Sequence, residues 1–287
     1  MTRPAYLTAT AIAQFIKSAL AEDIGEGDYS TLSTVPADKI VKAKLLVKED
    51  GILAGLELAE MIFHYADPSL KLETHKKDGD AVVSGDIAFE VSGKARAILS
   101  TERLVLNCMQ RMSGIATKTT HLSKLIEGTS AKIMDTRKTT PNFRIMEKWA
   151  VAIGGGKNHR FALYDMIMLK DNHIDVAGCV TQAVADAVSY RKENNLTLLI
   201  EVETRNLLEV SEALATGAVD VIMLDNMSIE QMTAAVKLIS GKCKTEASGG
   251  ITAATLRSVA QCGVDYISVG ALTHTVKSLD LSLKIVG

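Results

Sequence analysis

The stretch DTRKTTPNFRIMEKWAVAIGGGKNHR, residues 135–160, gathers Arg137, Lys138, Arg144, Lys148, Lys157, His159 and Arg160 around three consecutive glycines. Arginine presents a planar fork that grips a carboxylate or phosphate at two points, and lysine adds compact point charge. With Lys170 further along, this group suits a ligand carrying several negative charges. Ion pairing on a solvated surface is the competing reading of any charge run. It carries less weight here, because Arg137, Lys138 and Lys170 closely follow apolar runs, in AKIMDTRK and MIMLKDN. Gly154, Gly155 and Gly156 either offer backbone N–H groups to an anion or let the chain turn tightly. Beside KNHR, an anion-binding loop is expected.

Carboxylates end the next apolar runs: Glu201 and Glu203 in LTLLIEVET, and Asp225 in VDVIMLDN. Acids on the same rim as the cations suit Mg²⁺, which takes a few carboxylates plus substrate phosphates, or they suit sugar hydroxyls. Glu201 and Glu203 share a strand face at the period of two, so one of them is expected to be purely structural. EASGG, residues 246–250, and SVGALTH, residues 268–274, end the last two runs with small residues. Two such turns in succession favour a phosphate cradle over ordinary tight turns. His173 in KDNH reads as a satisfied hydrogen-bonding residue rather than a proton carrier. His64, His75 and His121 have no partner pattern and receive no role.

Positioning these groups requires a scaffold whose apolar runs all deliver their polar ends to one place. AKIMDTR, MIMLKDN, LTLLIEVET, VDVIMLDN, CKTEASGG and VDYISVGAL alternate with helix-like segments such as CVTQAVADAVSYRKEN and IEQMTAAVKLIS. Short apolar strands alternating with helices predict a parallel sheet covered by helices. In a (β/α) barrel the strands' C-terminal ends surround one mouth. A doubly wound open sheet gives the same alternation but places its Gly-rich turn after the first strand. Here GGG follows a long polar segment, so the barrel is favoured, with six to eight strands.

Upstream, residues 40–99 have a β texture with Asp-Gly and Ser-Gly turns, interrupted by a helix in AGLELAEMIFHYA. A helix is predicted from Thr8 or Thr10 to Ala21, and a longer one from Ser100, bridging two domains. The chain has 287 residues, 47% of them hydrophobic, enough for one large domain or two moderate ones. A formal charge of -2 gives no general attraction to nucleic acid or membrane, so the basic cluster is local. No secretory leader or membrane span is read from the sequence, and a cytoplasmic protein is expected. Cys108, Cys179, Cys243 and Cys262 lack C-x-x-C spacing and are read as four free buried thiols.

DTRKTTP, EKWAV, GGGKNHR, YDMIMLKDNH, IEVET, VIMLDN and EASGG together resemble, in order, the motifs of the quinolinate phosphoribosyltransferases. The resemblance implies an α/β fold: an N-terminal α/β sandwich domain and a C-terminal, seven-stranded, irregular α/β barrel. The domains implied are residues 1–115, rejoined by a helix-like tail at about 276–287, and residues 116–275. It implies phosphoribosyl transfer from phosphoribosyl pyrophosphate to quinolinate with decarboxylation, giving nicotinate mononucleotide, pyrophosphate and CO₂, with Mg²⁺ as cofactor.

By this similarity Arg137, His159 and Arg160 bind the quinolinate carboxylates, with Lys138 and Lys170 near both acid and phosphates. Arg103 reaches the site from a neighbouring copy, which implies a homodimer with shared active sites and leaves higher assembly open. Glu201 and Asp225 serve the ribose hydroxyls and the metal, partly through water or substrate. Ser248, Gly249 and Gly270 cradle the 5-phosphate, with His274 as a neighbour. Asn142 and Trp149 stand where the family more often shows glycine and tyrosine. Asn tolerates the left-handed conformation, so the turn is expected to survive.

Overall fold

The computed structural model describes residues 4–286. In chain order the strands are β1 (Ile40–Val47), β2 (Gly51–Ile52), β3 (Lys71–Thr74), β4 (Ala81–Val82), β5 (Ile87–Lys94), β6 (Lys132–Met134), β7 (Ile167–Leu169), β8 (Ile200–Thr204), β9 (Val221–Asp225), β10 (Lys244–Ser248), β11 (Tyr266–Ser268) and β12 (Leu281–Val286). They fall into two units. One runs to Thr120 and adds Thr139–Gly155 and the chain from Ala271 onward; the other comprises His121–Lys138 and Gly156–Gly270.

The first unit is built on an antiparallel sheet of order β12-β1-β5-β3. Along β1, Ala43, Leu45 and Val47 are fully buried, alternating with partly exposed residues as a one-sided sheet requires. Leu45 sits opposite both Phe89 of β5 and Leu283 of β12. Phe89 meets Phe63, on the helix Leu56–Ala66, edge-on at 6.0 Å. Truncating such a side chain to alanine costs about 2–5 kcal/mol, because the cavity collapses only in part.

The C-terminal tail is a strand, not the helix-like segment expected. In LSLKIV, Leu281 and Leu283 turn inward and Ser282 and Lys284 outward, a period of two that pairs antiparallel with β1. The first helix spans Ala9–Ile24, with Thr8 Oγ1 accepting from the Ala11 N–H at 3.1 Å. The long helix starts five residues before Ser100, at Ala95, and runs to Leu125. Its residues up to Thr120 belong to the first unit and the rest to the second. Lower in the same unit, Arg111 Nε donates to the buried Glu147 at 2.7 Å, and Glu147 also accepts from the Thr140 N–H at 3.2 Å. This clamp holds the TTPN turn, where Asn142 has φ 61, the left-handed conformation expected of it.

The second unit is a six-stranded parallel sheet of order β6-β11-β10-β9-β8-β7. β7 to β11 are neighbours in chain order and β11 then joins β6, so the winding never reverses. A doubly wound sheet would reverse at a switch point. The order is that of a barrel. Six strands are present among the described residues where the resemblance implies seven. Beside β6, Lys157 adds a one-residue parallel bridge to Met134, its N–H donating to Ile133 O at 2.8 Å and its carbonyl accepting from the Asp135 N–H at 3.2 Å.

The helices between strands start where their caps dictate. Ser228 and Gln231 exchange side chain-to-backbone hydrogen bonds at the start of Ile229–Ile239, and Asn206 caps Leu207–Ala215. No helix among the described residues is long and apolar enough to cross a membrane. The thiols differ from expectation. Cys108 and Cys262 are buried, Cys243 is partly exposed, and Cys179 is exposed at a helix start.

Candidate active site

The strands of the second unit deliver their polar ends to one rim: Asp135, Arg137 and Lys138 after β6, Lys170 after β7, Glu203 near the end of β8, Asp225 closing β9, Ser248 and Gly249 at β10, and Gly270 after β11. Asp135 is fully buried and acts as a staple. Its carboxylate accepts from the His159 N–H at 2.9 Å and from Asn158 Nδ2 at 2.6 Å, fixing the KNHR segment beside β6. His159 then fixes Arg160, whose backbone N–H donates to His159 Nδ1 at 2.7 Å.

Arg160 is 8% exposed, and its guanidinium donates to Met166 O at 3.2 Å, while its Nε is buried without a hydrogen-bond partner among the described residues. Burial, and next the charge of Arg137, push Arg160 below its ordinary pKa. Two guanidiniums held close, one with an orphaned donor, are arranged for an anion. Lys138 and Lys170 are exposed on the same rim.

The acids divide differently from the expectation. Glu201 is fully buried, early in β8, with Oε2 2.9 Å from His159 Nε2. Glu203, two residues on, approaches Lys170 Nζ at 3.9 Å. Burial, then the charge of Asp225, push the Glu203 carboxyl above its ordinary value. The acid in electrostatic contact with Asp225 is therefore Glu203, and the shared strand face puts Glu201 below it in the interior. Two repelling carboxylates with one distant lysine form a donor set that a hard divalent cation fits.

Beneath the rim, His159, Glu201 and Glu246 bring their ligand-type atoms within 4.8 Å of one another. These groups are arranged for a proton rather than a metal ion. Nδ1 of His159 accepts a hydrogen bond, so the ring hydrogen sits on Nε2, which lies 2.9 Å from Glu201 Oε2 and 3.5 Å from Glu246 Oε2. A metal would need the lone pair that this hydrogen occupies. Burial, and next the charge of Glu201, push the Glu246 carboxyl well above its ordinary value, toward its protonated form.

At the β9 and β10 ends, Asn226 adopts φ 53, donates from Nδ2 to Asp225 at 2.7 Å and so orients that carboxylate. Gly249 has φ 89, and a Cβ there would lie 2.2 Å from Asn226 Oδ1. Only glycine fits both conditions. Gly249→Ala is expected to displace Asn226 and to cost roughly 1–3 kcal/mol of stability, read as a lowered denaturation midpoint; an unchanged midpoint would show that the turn accommodates a side chain.

Other expectations are redistributed. The N–H groups of Gly154 and Gly155 bond Ala150 O and Ala152 O, and a Cβ on Gly154 would lie 2.6 Å from Ala116 O. These two glycines make a helix-ending turn, not an anion loop. Arg144 and Lys148 belong to the first unit, Lys148 fully buried and Arg144 bonded to Thr139 Oγ1 at 2.9 Å. Lys157 turns away over the Tyr266 ring. His173 Nδ1 accepts from the Lys170 N–H at 2.9 Å, a satisfied residue as read. Arg103 and His274 are exposed in the first unit. Sequence reasoning missed the parts played by Asp135 and Glu246 and the choice of Glu203. Their signal was only a carboxylate inside or just after an apolar strand.

Residues 28–113 match the N-terminal domain of quinolinate phosphoribosyl transferase, and residues 115–284 match its C-terminal domain. The chain belongs to the quinolinate phosphoribosyl transferase family. Among relatives of this family, a chloroplastic nicotinate-nucleotide pyrophosphorylase [carboxylating] of Arabidopsis thaliana is 50% identical, over 94% of this chain and 81% of that protein. A probable nicotinate-nucleotide pyrophosphorylase [carboxylating] of Bacillus subtilis is 45% identical, over 92% and 90%. The solved structure of NadC from Streptococcus pyogenes superposes with a TM-score of 0.92 at 42% identity, covering 100% of both chains. The two-domain quinolinate phosphoribosyl transferase fold thus extends through this chain.

Proposed function

We infer that this chain transfers the phosphoribosyl group of phosphoribosyl pyrophosphate to the ring nitrogen of quinolinate and releases CO₂, forming nicotinate mononucleotide and pyrophosphate for NAD biosynthesis. The observation that carries this reading is the buried Arg160, beside Arg137, on the same rim as the Glu203–Asp225 pair. The arginines receive the two carboxylates of quinolinate; Lys138 and Lys170 add charge toward the phosphates; Ser248, Gly249 and Gly270 hold the 5-phosphate.

Positioning does most of the catalytic work. The C1–N bond forms as the C1–O bond to pyrophosphate breaks, and Lys138 and Lys170 stabilise the charge on the departing oxygens. The alkylated ring nitrogen is cationic, so the electron pair left when the adjacent carboxylate departs as CO₂ is held by the ring until a proton replaces it. Glu203 and Asp225 are proposed to hold Mg²⁺, in part through substrate, in place of the Glu201–Asp225 pair of the resemblance; bound there, Mg²⁺ neutralises pyrophosphate charge.

Sharing of sites in a homodimer is proposed on the resemblance, with the partner subunit's Arg103 completing the pocket, and the cytoplasm is the proposed compartment. Mixing Arg103→Ala subunits with a variant dead at Arg160 is expected to restore activity in the mixed dimer. No recovery in verified mixed dimers would mean separate sites. The reaction is tested by supplying quinolinate or nicotinate with phosphoribosyl pyrophosphate and Mg²⁺ and following CO₂ and nicotinate mononucleotide. Product from quinolinate alone is expected. Product from nicotinate alone would overturn the two-carboxylate assignment.

A further inference from the structure

The buried groups under the rim form a connected series. The Ser268 hydroxyl of β11 donates to Glu246 Oε1 of β10; Glu246 Oε2 and Glu201 Oε2 of β8 lie 3.5 Å and 2.9 Å from His159 Nε2; and His159 Nδ1 accepts the Arg160 N–H. Among the described residues neither oxygen of Glu201 has an aligned hydrogen-bond donor, even with His159 Nε2 at 2.9 Å. The carboxyls of Glu246 and Glu201 lie within 4.8 Å of each other beside the same imidazole, and two carboxyls this close share a hydrogen bond only if one carries a proton.

The groups around Glu246 leave it that part. Its β9 register partner is the apolar Met223, and its β11 partner is Tyr266, whose ring lies under Lys157. Lys244 and Asp265 pair with each other at 2.6 Å near the strand starts. A cavity of about 380 Å³, lined by Lys157, Val221, Lys244 and Tyr266, reaches His159, Glu201 and Glu246. The charges that bear on its carboxyl are those of Glu201 and His159, and Ser268 donates a hydroxyl to it.

We propose that Glu246 is a positioning residue for quinolinate binding: bridging Ser268 and Glu201, it fixes His159 and, through His159, the backbone of Arg160. It touches no substrate. The inference rests on the functional reading above. Glutamine at position 246 reproduces both halves of the bridge, its carbonyl accepting from Ser268 and its amide donating to Glu201, with no charge added to the interior. Leucine fills similar volume and reproduces neither, leaving Glu201 a buried charge facing only His159.

Steady-state kinetics of the full chain, varying quinolinate and phosphoribosyl pyrophosphate separately with Mg²⁺ present, test this. Glu246→Gln is expected to keep KM for quinolinate within about twofold of wild type. Glu246→Leu is expected to raise it about tenfold while KM for phosphoribosyl pyrophosphate stays within about twofold. Should circular dichroism find Glu246→Leu unfolded, Ser268→Ala replaces it, with a rise of about threefold expected. An unchanged quinolinate KM in the folded disruptive variant, both KM values rising alike, or Gln as impaired as Leu would each overturn the proposal. A wild type that neither turns over nor binds quinolinate overturns the functional reading and this inference together. Wild-type turnover with unaltered variants overturns the inference alone.

Discussion

Replacing Arg160 with alanine is expected to lower kcat/KM for quinolinate by about 100-fold or more, with KM for phosphoribosyl pyrophosphate within a few fold of wild type. The side chain is buried, its Nε has no hydrogen-bond partner among the described residues, and its charge is destabilised by burial and by Arg137. Such a guanidinium gains most from a carboxylate bound at two points, and charge-assisted hydrogen bonds of this kind contribute about 1.5–3 kcal/mol each. Arg160→Lys is expected to fall between the two, because lysine restores charge without the fork. Initial rates with each substrate varied separately give the answer. Loss of affinity for phosphoribosyl pyrophosphate in place of quinolinate would reassign this arginine to the phosphates.

Glu203→Gln is expected to reduce kcat about 100-fold and to shift the Mg²⁺ dependence to higher concentration, whereas Glu201→Gln leaves the Mg²⁺ dependence unaltered. The contrast follows from placement. Burial and the charge of Asp225 raise the cost of ionising Glu203 at the rim, which a bound cation relieves, while Glu201 faces His159 in the interior. Activity measured against Mg²⁺ at saturating substrates separates the variants. A Glu201→Gln enzyme with the altered Mg²⁺ dependence, and Glu203→Gln with the normal one, would restore the pairing of Glu201 with Asp225.

That pairing shows where reading residues in order stops being enough. The rim was legible, because strands buried on both faces are apolar throughout and their first polar residue marks an end; Arg137, Lys170, Asp225 and Ser248 were located this way. The period of two put Glu201 and Glu203 on one face and told that one is structural. Which one depends on depth along the strand, set by register against β7 and β9, where Glu201 meets Met168 and Val221 and Glu203 meets Met223. Neighbouring residues carry no information about that depth. The glycine triplet failed for a related reason: a turn closing a helix and a nest for an anion use the same residue, and only the carbonyls of Ala150 and Ala152 distinguish them. The tail was misread because LSLKIV is too short for either period to dominate until β1 supplies a partner.

The pairing of β12 with β1 also bears on the order in which the chain can fold. Leu45 and Leu283 are opposite one another across more than two hundred residues, and between them the ribosome must deliver every strand of the second unit. Until residues 281–286 emerge, one edge of β1 lacks its partner and Leu45 lacks part of its cover. Closing a loop of that length is slow compared with local helix formation, and unpaired strand edges are sites of mispairing between nascent chains. Completion of the first unit's sheet therefore waits until residues 281–286 have been made, later than any strand of the second unit. The central unit, whose strands follow one another closely in the chain, has everything its sheet needs before that.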